Sequence, residues 1–295
     1  MEIGIIGGGA TGMLLAHYLG DNHQVTLYVR RKEQAASIES KGIQLAVTNI
    51  TTIIHVRQID EGIRNHAILF VCVKQNHLDH LTPVLNKIAD STTVIFLQNG
   101  MAHIEKAKEL SANVMVGVIE HGALKVSDHT VRHSGKGIIR VAYLTGSVDS
   151  ISLVERLNQE NFPFVLEPDY YPMLAKKLVI NAVINPLTAL FEIRNGQLLD
   201  NPFLTQLARQ LCREACQVLH LDEIEEWTNV MQIARATAGN YSSMYKDITN
   251  GRTTEIDAIT GYLLKNSTEQ ISGHALLLQA IKAKQYEKRK EGEDE

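Results

Sequence analysis

A glycine-rich turn close to the start of the chain sets the strongest limit on what this sequence can fold into. A short apolar run, Glu2–Ile6, leads directly into Gly7-Gly8-Gly9-Ala10-Thr11-Gly12, and a helical stretch follows at 13–19. Gly7, Gly9 and Gly12 therefore form a G-x-G-x-x-G motif between a strand and a helix. In that context the motif predicts the first turn of a dinucleotide-binding α/β domain.

Each glycine has a physical task in this interpretation. The first permits a tight turn, the second lets the backbone approach a pyrophosphate, and the third lets the helix pack closely on the strand. The N-terminus of the helix adds free N–H groups and a partial positive charge, so all of residues 7–12 are candidate cofactor ligands. The alternative is a glycine turn that binds nothing.

The first half of the chain alternates β-branched runs with helical stretches, the pattern of parallel strands joined by crossover helices. This predicts a Rossmann-type domain over residues 1–168. Strands are expected at Glu2–Ile6, Gln24–Val29, 67–73, 93–97, 114–118 and 162–167, with weaker strand signal at 50–56. Two β-rich runs within 130–144 flank Gly135-Lys136-Gly137 and predict a hairpin at the edge of the sheet.

The character of the sequence changes after Pro168 and Asp169, where the periodicity becomes helical. We therefore expect a second, all-α domain over residues 169–295. Its helices are predicted at 172–191, 204–219, 227–238, 255–265 and 274–290, and the charged segment 287–295 is expected to be a frayed, solvated tail.

Composition narrows the class of partner. The formal net charge is −4 in 295 residues, so no broad basic surface is available for nucleic acid or an anionic membrane, and a small molecule is the expected partner. The three cysteines cannot form a paired framework, which fits a reducing compartment. We find no room for a signal peptide and no apolar run of membrane-spanning length, and we expect a cytoplasmic protein.

The end of the second strand indicates which dinucleotide is bound. Proteins that bind NAD usually place an acidic residue there to hold the ribose 2′-hydroxyl, whereas this strand ends in Tyr28-Val29-Arg30-Arg31-Lys32. Arg30, with Arg31 beside it, can offer a fork of donors to a 2′-phosphate, so NADP (NADPH) is the favoured cofactor. The alternative is a solvated basic turn.

Two further polar residues follow predicted strands. Lys74 comes directly after Phe70-Val71-Cys72-Val73, and Asn99 follows the strand at 93–97. Ligands of such sheets lie outside the carboxyl ends of the strands, so both residues are candidates for the cofactor and substrate crevice. Either could equally be a helix cap or a turn residue. His77 and His80 have an acid between them but no recognisable third ligand, and no metal site is expected.

A row of polar residues interrupts an otherwise apolar helix in the second half. Lys177, Asn181 and Asn185 are spaced by four and lie along one helical face, whereas Lys176 is phased with apolar residues. A buried polar row must be satisfied by protein or ligand hydrogen bonds, so it indicates either a catalytic face or interhelical packing. Pro186 predicts a kink or break of the helix at Asn185.

With these residues in view, the chain resembles the ketopantoate reductase (2-dehydropantoate 2-reductase) family along nearly its whole length. The most specific stretch is Lys177-Leu178-Val179-Ile180-Asn181-Ala182-Val183-Ile184-Asn185-Pro186-Leu187-Thr188-Ala189. A second is Ser242-Ser243-Met244-Tyr245-Lys246-Asp247 with Thr254-Glu255-Ile256-Asp257, and Asn195-Gly196 also fits.

The resemblance implies NADPH-dependent reduction of ketopantoate to pantoate, a step towards coenzyme A, by a monomer or homodimer. It implies a Rossmann-type domain followed by an all-α domain of the 6-phosphogluconate dehydrogenase-like type. Lys177 would be the general acid and Glu255 the second essential polar group, with Glu255 also near the cofactor. Substrate contacts would come from Asn99, Asn181, Asn185, Asn195, Asn240 and Ser243.

Other interpretations stay open on the residues alone. Glu255 follows Thr254, a good N-cap, so it could be an acid that favours a helix dipole, and Ser243 could be an ordinary loop hydroxyl. The enzyme could reduce another branched 2-oxo acid or an opine-type imine. Alternatively, the protein could be a sensor that binds NADPH without reducing a carbonyl compound.

Overall fold

The computed structural model describes residues 1–147 and 149–294, with side chains described as far as residue 290. The chain forms two compact units. The first unit contains Met1–Gln98 and His103–Met173, and the second contains Asn99–Ala102 together with the chain from Leu174 onward. A four-residue segment from the sheet-forming half therefore packs with the helices of the second unit.

The first unit alternates strands with helices along most of its length. Its elements, in chain order, are β1 Glu2–Ile6, α1 Ala10–Gly20, β2 Gln24–Val29, α2 Lys32–Lys41, β3 Ile43–Leu45, β4 Thr51–Thr52, β5 His55–Gln58, β6 Ile68–Val71, α3 Leu78–Leu85, β7 Thr93–Phe96, α4 Ile104–Lys108, β8 Asn113–Ile119, β9 Gly122–Lys125, β10 Thr130–Gly135, β11 Ile139–Thr145, α5 Ser150–Leu157 and β12 Phe164–Glu167. Short 3₁₀ turns lie at Ile59–Glu61 and Gln75–His77.

The main sheet has eight strands in the order β12-β11-β8-β7-β6-β1-β2-β5. Six neighbouring strands of this sheet, β5, β2, β1, β6, β7 and β8, pair in parallel. Strand β11 then pairs antiparallel with β8. Apolar side chains such as those of Ile5, Leu27 and Phe70 are fully buried, because both faces of a parallel sheet are covered. Strands β1 and β6 are neighbours, but the chain continues from β1 to β2 on one side and from β6 to β7 on the other. A ligand-binding crevice is expected beyond the carboxyl ends of two such strands.

The predicted hairpin around Gly135-Lys136-Gly137 is wrong. Strand β10 pairs with β9 and β3 in a second, four-stranded sheet, whereas β11 pairs with β8 and β12 inside the main sheet. The segments β8–β9 and β10–β11 form two long arms that run antiparallel to each other. The chain reverses its direction between Lys125 and Thr130, where one arm leads into the other. The glycines mark the place where the second arm bends from one sheet to the other, and a Cβ on Gly137 would lie 2.5 Å from the backbone of Glu120.

Helix α1 lies between the two sheets. It contacts β2 of the main sheet and β3, β4, β9 and β10 of the small sheet. Met13, Leu14, Leu15 and Leu19 are almost completely buried, which is expected for a helix that is apolar on all sides. The glycine turn at its start is therefore attached to a helix that packing fixes on two faces.

The second unit is helical. Its elements are α6 Tyr170–Phe191, which begins in the last residues of the first unit, α7 Gln197–Asp200, α8 Pro202–Leu219, α9 Glu223–Ala236, α10 Ser243–Thr249, α11 Tyr262–Asn266 and α12 Ser272–Asp294. A π-helical turn, Asp257–Gly261, precedes α11 where the sequence predicts an ordinary helix from Glu255.

Two expectations for these helices are wrong in part, namely the break in α6 and the frayed tail. Helix α6 is not broken at Pro186, because apolar side chains on both sides of it, such as Ile184 and Leu187, are buried and hold the segment helical. The tail expected at 287–295 continues α12 as far as Asp294 and is not frayed there, although its side chains at 287–290 are exposed as predicted; Glu295 lies outside the described residues. Arg289 of this helix donates a hydrogen bond to the hydroxyl of Thr253, which ties the late turns to the rest of the unit.

Helix α6 also corrects the expectation that no apolar run reaches membrane-spanning length. By length and composition alone, it is the one helix among the described residues that could cross a membrane. Most of its apolar window, 67%, is buried inside the protein, as in the core helix of a globular unit. Lys176 and Lys177 make the apolar run look shorter in the sequence than it is.

Helix α12 begins at a buried carboxylate from another helix. Glu214 of α8 is 8% exposed, and its two oxygens accept hydrogen bonds from the backbone N–H groups of Gly273 and His274, both at 3.0 Å. The first N–H groups of a helix have no partner within the helix, so this carboxylate satisfies two of them and favours the helix dipole.

We predict that Glu214→Ala lowers the free energy of unfolding by about 1–3 kcal/mol, because two buried N–H groups lose a charged acceptor. Urea denaturation followed by circular dichroism measures the effect. Glu269→Ala, at an exposed glutamate near the same helix, is the matched control. Equal midpoints for the two variants would show that Glu214 does not cap α12.

Candidate active site

The glycine turn has the geometry that its sequence predicts. Gly7 has a φ of +114°, which a residue with a side chain rarely adopts. A Cβ on Gly12 would lie 1.9 Å from the carbonyl oxygen of Gly7, so the first turn of α1 approaches the end of β1 too closely for any side chain. Helix α1 begins at Ala10, and the N–H of Met13 donates to the carbonyl of Gly9 at 3.0 Å. Ala10 and Thr11 therefore lie in the first helical turn.

Side chains from distant segments hold the middle of this turn. The carbonyl oxygen of Gly8 accepts hydrogen bonds from Gln34 Nε2 at 2.8 Å and from Lys125 Nζ at 3.2 Å. The Asp128 carboxylate pairs with Lys125 at 3.1 Å and also with Arg31. Sequence reasoning missed Gln34, Lys125 and Asp128, because no local pattern shows that the β9–β10 connection returns to the glycine turn.

A cavity of about 590 Å³ opens beside the turn within the first unit. Gly7, Gly8 and Gly9 line it, and a Cβ on Gly9 would meet nothing within 4 Å, so this side of the turn is open to a ligand. Of the predicted cofactor residues outside the turn, Arg30, Arg31 and Lys74 line the cavity. It is also lined by residues that were not predicted as ligands, among them Gln34, Asp60, His77, His80, Ile59, Leu81 and Val84.

The residues of this cavity fit a dinucleotide. The open side of the turn can approach a pyrophosphate, and Ile59, Leu81 and Val84 offer apolar surface to a base. Arg30 and Lys74 supply cationic donors. Lys74 also directly precedes the 3₁₀ turn Gln75–His77, and the N–H of His77 donates to the carbonyl of Lys74 at 2.9 Å. Lys74 is therefore both a turn residue and part of the cavity lining.

In the second unit, the two adjacent lysines of α6 have different surroundings. Lys176 pairs with Glu225 at 2.5 Å and with the buried Glu226 at 3.7 Å, both on α9. The hydrogen bond to Glu225 raises the pKa of Lys176. Successive helical residues are about 100° apart, so Lys177 lies on a different strip of the helix. That strip also holds Asn181 and Asn185, and all three side chains are half-buried.

A neighbour of the predicted Ser243 meets the end of this strip. The Ser242 hydroxyl, which caps α10, accepts a hydrogen bond from Thr188 Oγ1 at 2.8 Å and lies 3.5 Å from the carbonyl oxygen of Asn185. Ser243 is the first residue of α10 and is exposed, as is Asn240. The carbonyl of Asn240 accepts from the backbone N–H of Asn195 at 3.0 Å.

Asn195 itself is buried, and one end of its side-chain amide is hydrogen-bonded within the protein. Its Nδ2 donates to Thr237 Oγ1 at 2.9 Å, and it is 8% exposed. Its Oδ1 has no hydrogen-bond partner within the described part of the chain. The structure therefore gives Asn195 a role in joining the loop before α7 to the loop before α10, besides any contact to substrate.

Asn99 and Glu255, which are 156 residues apart, come together in the second unit. Asn99 Nδ2 donates to Glu255 Oε2 at 2.9 Å. Gly100 follows with a φ of +83°, and a Cβ there would lie 2.4 Å from the carbonyl oxygen of Ala258. The π-helical turn directly after Glu255 belongs to a class of distortion that is frequent at functional sites.

The chain matches two family models that together span most of its length. Residues 3–146 match the model described as ketopantoate reductase PanE/ApbA, and residues 169–285 match its C-terminal domain. The chain belongs to the ketopantoate reductase family. The fold predicted from the sequence, a Rossmann-type domain followed by a helical domain, is confirmed, and the family is one of dinucleotide-dependent reductases.

Individual members of the ketopantoate reductase family are similar to this chain along most of their length. A 2-dehydropantoate 2-reductase of Bacillus subtilis is 40% identical over 286 residues, which cover 92% of each chain. One of Listeria innocua is 37% identical and covers 88% of this chain and 87% of the relative. Among solved structures, the probable 2-dehydropantoate 2-reductase panE of Bacillus subtilis has a TM-score of 0.85 at 38% identity, covering 96% of this chain and all of that one.

A more distant structure shares the fold of the family. D-mandelate dehydrogenase, solved with NADH and anilino(oxo)acetate, has a TM-score of 0.90 at 20% identity and covers 98% of this chain and 99% of its own. At this identity the likeness concerns the fold alone.

Two glycine positions of the turn give a contrasting prediction. Gly12→Ala should lower the free energy of unfolding by about 1–3 kcal/mol, because the new methyl group meets the backbone of Gly7. Gly9→Ala should leave it unchanged within about 0.5 kcal/mol, because its methyl group faces open space. Thermal or urea unfolding compares the two variants, and equal losses would contradict the close approach of α1 to β1.

Proposed function

We propose that this protein catalyses the NADPH-dependent reduction of 2-dehydropantoate (ketopantoate) to pantoate. The observation that carries the proposal is the 40% identity, over 92% of each chain, to a reductase of that name. The half-buried strip of Lys177, Asn181 and Asn185 supports it, because a reductase needs a proton donor and amide groups where a keto acid binds.

NADPH is proposed as the cofactor in preference to NADH. The cavity beside the glycine turn presents Arg30 at the end of β2, where an NAD-dependent protein would have a carboxylate. Arg31 lines the same cavity but is paired with Asp128. Arg30 is therefore the principal proposed ligand of the 2′-phosphate, with Arg31 and Lys74 beside it, and residues 7–12 hold the pyrophosphate.

The reaction needs a hydride for the keto carbon and a proton for its oxygen. The nicotinamide of NADPH supplies the hydride when it is bound. As negative charge builds on the carbonyl oxygen, the Lys177 ammonium donates its proton to the developing alkoxide and is left as a neutral amine. Asn181 and Asn185, on the same strip, are proposed to hold the polar groups of the substrate, with Asn195, Asn240 and Ser243 beside them.

Glu255 is proposed to work together with Asn99. The hydrogen bond between their side chains fixes the orientation of the Asn99 amide, whose remaining polar atoms can then bind cofactor or substrate. The carboxylate keeps acceptor capacity for a substrate hydroxyl. The macrodipole interpretation of Glu255 is compatible with this role, because Ile259 N–H donates to the carbonyl of Glu255 at 3.1 Å in the turn that follows.

A cytoplasmic monomer or homodimer that acts on a small 2-oxo acid completes the proposal. One solved relative of this fold is described as a dimeric ketopantoate reductase from Staphylococcus aureus. Gel filtration with light scattering distinguishes the two assembly states.

The proposed function is tested by spectrophotometric measurement of NADPH consumption. We expect kcat/KM for ketopantoate to exceed the values for other branched 2-oxo acids, for an aryl 2-oxo acid and for an amino acid paired with a 2-oxo acid. A higher value for one of these alternatives would reassign the substrate. If NADPH binds and no carbonyl compound is reduced, the protein is a sensor of NADPH and the proposal fails.

Lys177→Ala should lower kcat by about 10²–10⁴-fold, since the proton donor is lost, while NADPH binding persists. Steady-state kinetics and nucleotide titration measure the two effects. Lys176→Ala is the matched control, and it should change kcat by less than about threefold because Lys176 is paired with α9. Unchanged turnover in the Lys177 variant would remove this residue from the mechanism.

Arg30→Asp should weaken the binding of NADPH far more than that of NADH, because a carboxylate repels the 2′-phosphate and accepts from a 2′-hydroxyl. Dissociation constants of both nucleotides, measured by fluorescence, give the comparison. Lys32→Asp, two residues away and outside the cavity lining, is the control for a general change of charge. Equal losses for NADPH and NADH in the Arg30 variant would argue against a contact to the 2′-phosphate.

A further inference from the structure

We propose that His77 and His80 are specificity-determining residues that extend the 2′-phosphate site, so that the preference for NADPH over NADH depends on two imidazoles as well as on Arg30 and Lys74. This inference rests on the proposed use of NADPH. The chemical group recognised is a phosphate monoester on the ribose of a nucleotide.

The first support is the way helix α3 faces the cavity. His77, directly before the helix, and His80, Leu81 and Val84 within it all line the cavity, and this spacing is that of one helical face. The two histidines occupy the start of that face and the two apolar residues its later part. A ligand along it would therefore meet ionisable groups at one end and apolar surface at the other, as the phosphate and base of a phosphorylated adenosine require.

The second support is the charge around the histidines. Arg30 at the end of β2, Arg31 at the start of α2 and Lys74 after β6 line the same cavity. Asp60, in the 3₁₀ turn Ile59–Glu61, is the single carboxylate among the described residues that line it. Although Arg31 is paired with Asp128, the lining still carries more cationic than anionic side chains, which a phosphate dianion would complement.

The third support is the electrostatic coupling of His77 to these cations and to His80. Partial burial lowers the pKa of His77, and the neighbouring charges of Arg30, His80 and Lys74 lower it further. Without a ligand, these surroundings therefore favour the neutral form of His77. A bound phosphate dianion acts in the opposite direction and raises the pKa, so binding takes up a proton and tightens as the pH falls.

Neither histidine is used by the protein in another way that the described residues show. The imidazoles of His17, His66 and His121 form side-chain hydrogen bonds with Thr52, Tyr28 and His133. Those of His77 and His80 are exposed and make no such bond within the described residues. They remain available to a ligand at the rim of the cavity.

The test is equilibrium binding of NADPH and NADH to the whole protein, followed by nucleotide fluorescence at about pH 6.5 and about pH 8, because the lower pH favours the cationic form of an imidazole that faces a phosphate. The variants are His77→Gln with His80→Gln, and His55→Gln as a matched control. His55 is exposed and does not line the cavity.

In the unchanged protein we expect the preference for NADPH over NADH to rise as the pH falls between these values. In the double variant, NADPH affinity near pH 6.5 should fall about 3–10-fold, NADH affinity should change less than about twofold, and the rise in preference should disappear. The control should behave like the unchanged protein.

Three results would overturn the inference: an unchanged preference in the double variant, an equal loss for both nucleotides, or a persisting pH dependence. The last would mean that a group other than these two imidazoles carries the effect, because protonation of the phosphate near its own second pKa of about 6 acts in the opposite direction. Failure of the proposed function is a different result, because then NADPH does not bind at all or no 2-oxo acid is reduced.

Discussion

The close approach of α1 to β1 is the constraint on which the nucleotide-binding half depends. With the carbonyl of Gly7 only 1.9 Å from the position of a Cβ on Gly12, no residue but glycine allows the helix to start there. The helix packs against strands of both sheets, and its first N–H groups, which have no partner within the helix, lie at the glycine turn. The turn therefore has an open side at Gly9, where the cavity lies.

Features that depend on short stretches of chain could be predicted from the sequence. The bounds of β1 and β2 are those expected, because their apolar runs end at a glycine turn and at consecutive charged residues. The hairpin at Gly135-Lys136-Gly137 could not be predicted correctly, since two β-rich runs on either side of a glycine look alike whether they pair with each other or with different sheets. The pairing is decided by β8 and β9, which precede both runs in the chain and pair with one run each.

The candidate site divides in the same way. The strip of Lys177, Asn181 and Asn185 could be predicted because helical periodicity is local, and the structure supplies the reason that Lys176 differs, which is its pairing with α9. The contact of Asn99 with Glu255 could be expected only through the family resemblance. No local sequence pattern indicates the hydrogen bond of Lys125 to Gly8, because it forms where the β9–β10 connection returns to the glycine turn.

This chain is proposed to deliver a hydride from NADPH to the keto carbon of ketopantoate. The most direct measurement uses NADPH that carries deuterium at the transferred position of its nicotinamide, with the product analysed by NMR. The account predicts pantoate with one deuterium on the carbon that bears the new hydroxyl group, formed in step with oxidised nucleotide. Oxidation of NADPH without labelled pantoate, or no reaction at all with bound nucleotide, would contradict it.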